Sequence, residues 1–230
     1  MSIFVKLIAH TPESAKIVSA AARLCYSPTG VVDILDSLTE DKIKDFLNKL
    51  NETGHLSPFE HVSFTFAIEG ISRVATHQLV RHRLASYSQQ SQRYVGVSDD
   101  TCICPPSILK NEKAKNIFDE QVQNAWDSYN RLIESGIPKE DARFILPHGA
   151  ETRIVLTMNA RELHHFFALR LCRRAQWEIK ELARQMLILA RDVAPEIFAI
   201  AGPSCLVDGK CKEFHSCGRP YSNITELLSE

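Results

Sequence analysis

Val62-Ser63-Phe64-Thr65-Phe66-Ala67-Ile68 alternates large apolar with small residues at period two. From Ile71 the period lengthens, so that Ile71, Val74, Ala75 and Leu79 share one helical face. A half-buried strand therefore runs almost directly into a helix. Arg81, His82 and Arg83 fall at or just past that helix's end, and a loop of small and amide residues follows. The switch of period places the chain among mixed α/β proteins.

Toward the N-terminus, the apolar run Ile3 to Ala9 contains Lys6, is too short for a signal-peptide core and lacks a small-residue cleavage site; it predicts an edge strand. Thr11-Pro12-Glu13 offers a hydroxyl cap, a first-position proline and an acid to a helix that buries Ile17, Ala20, Ala21 and Leu24 and ends near Cys25. Thr39-Glu40-Asp41 opens a second helix carrying Ile43, Phe46, Leu47 and Leu50, which Gly54 stops. Ser57-Pro58 reads as a turn.

Toward the C-terminus, Asn111 to Gly136 predicts a long amphipathic helix burying Ile117, Val122, Ala125, Trp126, Tyr129 and Ile133. Pro138 to Leu146 is a short helix stopped by Pro147, and Thr152 to Met158 is a β-branched strand. Asn159-Ala160-Arg161-Glu162 has the form of a capping box and launches a helix through Cys172; another runs from about Arg174 to Val193. Trp126 and Trp177, both at apolar helical spacing, are expected in the core. With no repeat and no linker, residues 1–230 read as one domain, with an irregular tail at 202–230.

Hydrophobic residues make up 44% and charged residues 24%, which excludes a disordered chain. A net charge of -1 gives no global field toward nucleic acid or an anionic membrane, and no apolar run approaches the roughly 20 residues that span a bilayer. Seven cysteines at irregular spacings suit a reducing compartment, so the cytoplasm is expected. Cys205, Cys211 and Cys217, with His215 nearby, lack the close pairing of zinc-ribbon ligands; they read as surface or partly buried thiols, with no metal expected. Arginine is concentrated between Arg73 and Arg191, whereas the first sixty residues hold only Arg23. Guanidinium forks in that density suit phosphate or carboxylate ligands.

From Arg81 to Arg93, three arginines, one histidine and a row of hydroxyls and amides stand without an acid. The arginines suit phosphate, while Ser86, Ser88, Ser91 and the amides of Gln89, Gln90 and Gln92 suit a polar ring such as a nucleobase; Tyr87 and Tyr94 suit ring packing. Two other readings stay open on composition alone. One is a solvated loop whose cations favour a helix C-terminus. The other is a single-strand nucleic-acid module, against which stand the near-neutral charge and the lack of a wider basic stripe.

The spacing narrows the choice. The pattern RHR-x-x-S-x-x-x-x-S-x-R, set by Arg81-His82-Arg83, Ser86, Ser91 and Arg93, resembles the signature of the flavin-dependent thymidylate synthases. Upstream, Gly54-His55-Leu56-Ser57-Pro58-Phe59-Glu60-His61 is similar to that family's GHxxPFEH segment, and Arg143-Phe144-Ile145-Leu146-Pro147 to its ARxxLP turn. Downstream, Asn159-Ala160-Arg161, Arg170 and Ala175-Gln176-Trp177-Glu178-Ile179 resemble its NAR and AQWEI helices in order and spacing. The likeness covers roughly residues 11 to 200 and leaves out the tail.

This resemblance implies an α+β fold, a small antiparallel sheet flanked by helices, assembled as a homotetramer whose active sites are shared between subunits. It implies FAD at Ser57, Arg81, His82, Arg83, Gln89, Asn159, Ala160, Arg161 and His165. It implies dUMP at Gln78, Leu79, Val80, Arg81, Gln89, Gln90, Ser91, Gln92, Arg93, Arg143 and Arg170. Arg170 matches the family's activating arginine, with methylenetetrahydrofolate as carbon donor, NADPH as reductant and no enzyme nucleophile. Ser91, without an evident partner base, is assigned to phosphate. Arg161 and Arg170 stand nine positions apart, about 180° around one helix, and so are expected to serve different ligands. Gln89 where many relatives have Glu, Cys25 where many have a small hydroxyl residue, and His165 where Asn is frequent depart from the pattern. Of the adjacent histidines His164 and His165, only His165 is expected to face the cofactor.

Overall fold

A computed structural model describes residues 3–95 and 101–230. Strand β1 (Phe4–His10) is followed by helices α1 (Ser14–Leu24), α2 (Val31–Ser37) and α3 (Glu40–Thr53). Then come β2 (Ser63–Ser72), α4 (Arg73–Leu79), β3 (Ala85–Gln89), α5 (Pro106–Leu109), α6 (Glu112–Glu134) and α7 (Lys139–Ala142). The remainder is β4 (Glu151–Asn159), α8 (Ala160–Arg170), α9 (Trp177–Val193), α10 (Ser204–Val207) and α11 (Ile224–Ser229). The four strands form a small antiparallel sheet in the order β1-β2-β4-β3, so the α+β expectation holds and β1 is an edge strand.

The chain packs into two compact units. The larger holds Val5–Ala67, His82–Tyr87 and Leu156–Glu230. Its core is aromatic: Phe198 meets Phe64 edge-on at 5.2 Å, stacks on His164 at 5.3 Å and lies 5.8 Å from Phe167, all without solvent exposure for the phenylalanines. Thr65 and Thr157 share a hydroxyl hydrogen bond of 2.9 Å between neighbouring strands. Thr39 caps α3 by accepting the Lys42 N–H, and Gly54 ends it at φ 71°, as the sequence predicts.

Several expectations in this unit are corrected. The Thr11 hydroxyl does not cap α1: it accepts the Ser63 N–H at 3.0 Å and donates to the Ser63 carbonyl, tying the end of β1 to the start of β2. The helix begins at Ser14 instead and buries Val18, Ala20 and Ala22, while Leu24 is exposed. Helix α2 is an addition to the expected elements. Trp177 opens α9 and is 38% exposed rather than part of the core. Gln176 caps that helix by accepting the Glu178 and Ile179 N–H groups. The tail is not wholly irregular, because it forms α10 and α11.

The smaller unit comprises the described residues among 3–4, Ile68–Arg81 and 88–155. Trp126, Tyr129, Ala142 and Ala150 form its buried cluster, with Val122, Leu132, Ile133 and Leu146 packed against it. Trp126 is thus core, as expected, but Ile117 on the same helix is 63% exposed. The alternation of β2 ends at Gly70, whose φ of 71° is a left-handed conformation that suits glycine; beyond it Ile71 and Ser72 are both buried. Ser72 then accepts the Ala75 N–H and starts α4, so the strand-to-helix switch falls two residues later than the periodicity suggests.

Phe198→Ala removes the ring shared by these buried groups and is expected to lower the unfolding free energy by about 3–5 kcal/mol in chemical denaturation.

Candidate active site

Helix α8 begins where β4 ends. Asn159 accepts the Glu162 N–H at 2.8 Å, and the Ala160 N–H donates to the Val62 carbonyl at 2.9 Å. A capping box would turn the Glu162 side chain back on the Asn159 amide. Here it turns to His82 instead: His82 Nδ1 and Glu162 Oε1 lie 3.0 Å apart, with the two residues 4% and 6% exposed. On the ring's other side, Arg170 Nε donates to His82 Nε2 at 3.1 Å. Phe166 and His165 meet the ring edge-on at 5.0 and 5.6 Å, and the Tyr87 hydroxyl donates to the His82 carbonyl at 2.8 Å.

Burial pushes the His82 pKa down, the Glu162 hydrogen bond opposes that shift, and the Arg170 charge adds to it. Burial also lowers the Arg170 pKa, and burial beside the Glu162 carboxylate pushes the Tyr87 phenol up. Tyr87 therefore acts as a neutral donor to the backbone rather than as a free ring. His82, His165 and Arg170, three residues singled out in the sequence, are brought together. Glu162, which closes the cluster, carries no such signal: eighty positions separate it from His82, and its place in the cap pattern points to another partner.

In the same unit Ser57, Arg161 and Cys25 line one pocket of about 410 Å³ together with Tyr26, Leu50 and His55. Arg161 pairs with Glu60, whereas Arg170 holds His82, so the two arginines engage different side chains. Arg83 is exposed.

The smaller unit holds Gln78, Leu79, Val80, Arg81, Gln89–Arg93 and Arg143. The expected loop after Arg83 contains strand β3, in which Gln89 donates through Nε2 to the hydroxyls of Thr76 and Thr152, both at 3.2 Å. Leu79 is fully buried, while Val80 and Arg81 are exposed. Ser91 Oγ accepts the Arg93 N–H, a turn contact, and Arg93 pairs with Glu140. Arg73 donates to the Gln90 carbonyl, and its pKa is lowered by burial and by the nearby charge of Arg143. Two neighbouring guanidiniums suit an anion. The Gln92 amide nitrogen is buried without a hydrogen-bond partner among the described residues. Arg73, Thr76 and Thr152 carry no sequence signal beyond their polarity.

Cys205, Cys211 and Cys217 line a small cavity of about 30 Å³ near the tail, joined by Cys172 from the end of α8. Among the described residues no three His, Cys, Asp or Glu side chains are grouped to hold a metal. Nor is any described helix long and apolar enough to cross a membrane.

The profile of the family described as Thymidylate synthase complementing protein matches residues 6–196. The chain is 51% identical over 229 residues to the flavin-dependent thymidylate synthase of Geobacter sulfurreducens, covering 98% of each. It is 44% identical over 217 residues to that of Pyrococcus horikoshii, covering 91% of this chain and 89% of that protein. Among solved structures it resembles the UMP/dUMP methylase PolB from Streptomyces cacaoi bound with 5-Br dUMP, with a TM-score of 0.78 at 26% identity over 86% of this chain and 93% of that one. An α+β architecture with these relatives defines an enzyme. The chain belongs to the flavin-dependent thymidylate synthase family.

His164, beside the cluster, packs against the core: Phe59 meets it edge-on at 5.5 Å and its Nε2 bonds the Ile197 carbonyl at 2.9 Å. Burial holds its pKa down at about 4, only partly offset by that carbonyl. Because the folded value lies below the unfolded one of 6.5, the unfolded chain takes up the extra proton between them. Stability from this group is complete above pH 6.5 and is lost as pH falls toward about 4, by roughly 3 kcal/mol. Denaturation at a series of pH values checks this, with His164→Phe expected to flatten the slope.

Proposed function

We propose that this chain catalyses the FAD-dependent reductive methylation of dUMP to dTMP, with methylenetetrahydrofolate as carbon donor and NADPH as reductant. The observation that carries the reading is the union in one cluster of His82 and Arg170, which match the family's motifs, with His165, which stands at a position where the resemblance implies FAD. Arg170 would lie against the pyrimidine N3 and its adjoining carbonyl. A guanidinium there stabilises the ionised ring, and the charge delocalised onto C5 makes that carbon the nucleophile. No enzyme nucleophile enters, and the turn contact of Ser91 accords with a phosphate-binding role. Arg93, Arg143 and the Gln89–Gln92 segment would hold phosphate and base, with Gln78–Arg81 beside them. The Gln92 amide nitrogen, buried and without a described partner, suits such a ligand.

The flavin's donor set also fits. Arg81, Arg83 and Arg161 offer guanidiniums to a diphosphate, while the pocket lined by Ser57, Tyr26 and Leu50 suits part of a ring system. Asn159 and Ala160 already serve the start of α8, so they would act by shaping the backbone that meets the cofactor. When bound, reduced flavin supplies the hydride that completes the methyl group. Gln89 presents an amide where many relatives carry a carboxylate, which keeps the ligand set and removes one negative charge. Residues 1–230 would act as one functional domain, in the cytoplasm and as a homotetramer.

The purified protein is expected to bind flavin, to oxidise NADPH faster with dUMP present, and to form dTMP anaerobically. Arg170→Ala should retain flavin and lose dTMP formation by about 10²–10³-fold. A protein that takes up no flavin and oxidises no NADPH would overturn the reading.

A further inference from the structure

The geometry points to Glu162 as a positioning residue: it sets the tautomer and orientation of His82, and through His82 it aims the guanidinium of Arg170. This rests on the reading of Arg170 given above.

Arg170 Nε carries a hydrogen and has nothing with which to accept, so at 3.1 Å His82 Nε2 must present its lone pair. An ionised Glu162 can only accept, so at 3.0 Å His82 Nδ1 must carry the hydrogen. The two demands agree on one form, the neutral imidazole protonated on Nδ1. Were the ring turned over, a carboxylate would face a lone pair and a guanidinium N–H would face an N–H. Burial makes such a mismatch costly, because water is not available to mend it.

The surroundings hold the ring to that pose. Phe166 meets it edge-on, and Tyr87 anchors its backbone carbonyl. Glu162 is itself fixed by its place in the first turn of α8, where its N–H is bonded to Asn159. Arg170 is the last residue of the same helix. A planar guanidinium anchored at Nε has the plane of its terminal nitrogens decided. Glu162 and Arg170 thus grip His82 from opposite ends of one helix. The carboxylate lies one residue removed from the arginine it orients, and it need not touch substrate to matter.

Nitrogen-15 NMR of the His82 ring in the ligand-free protein should show Nδ1 protonated and Nε2 not; the opposite tautomer would overturn the proposal whatever the variants do. Glu162→Leu, with flavin still bound, should lower kcat about 10- to 100-fold and weaken that tautomer preference. Glu162→Gln, whose amide oxygen can still accept from Nδ1, should stay within about threefold of the parent. Wild-type kcat in the Leu variant, or equal losses in both variants, would count against an orienting role. Should the parent protein bind no flavin and make no dTMP, the functional reading fails, while the NMR result still judges the Glu162–His82 contact by itself.

Discussion

A carboxylate taken out of water must find charge or hydrogen-bond partners, and the Glu162 side chain finds its partner in His82. That requirement organises the larger unit around it. The chain must bring His82 to the first turn of α8, the Tyr87 hydroxyl must hold the His82 backbone in place, and Phe166 must keep solvent from the ring. Arg170 then meets the ring's remaining nitrogen. Had Glu162 been left to cap its own helix, His82 Nδ1 would have lost this acceptor.

Two junctions in the chain are of the same kind. In each a strand runs into a helix without a loop, and a polar residue at the boundary accepts the N–H three positions on: Ser72 from Ala75 and Asn159 from Glu162. A direct junction leaves little freedom in the helix's starting direction. The directions of α4 and α8 are therefore set by strand geometry, and the neighbouring turns add contacts without having to define them.

Much of this is legible from local chemistry. The Thr39 cap, the Gly54 stop, the Asn159 cap and the strands β2 and β4 each depend on residues within a few positions of one another, and each follows from the sequence. What escapes such a reading depends on distant partners. Thr11 has the chemistry of a cap, but Ser63 takes its hydroxyl. Residues 85–89 look like a polar loop because β3 contains serines, a tyrosine and a glutamine in place of β-branched residues; its neighbour β4 decides it. The resemblance singles out His82, His165 and Arg170, but no local pattern can join Glu162 to His82 across eighty residues.

The family profile stops at residue 196, yet the residues beyond it are fastened to the core. Arg173 stacks on the Tyr221 ring at 4.0 Å and pairs with Glu226 and Glu230. Arg173 stands three positions after Arg170, just beyond the end of α8. The tail thus acts as a splint across the turn that follows the arginine, stiffening the backbone on that side. Sequence variation in a segment far from any motif therefore has a mechanical route to Arg170.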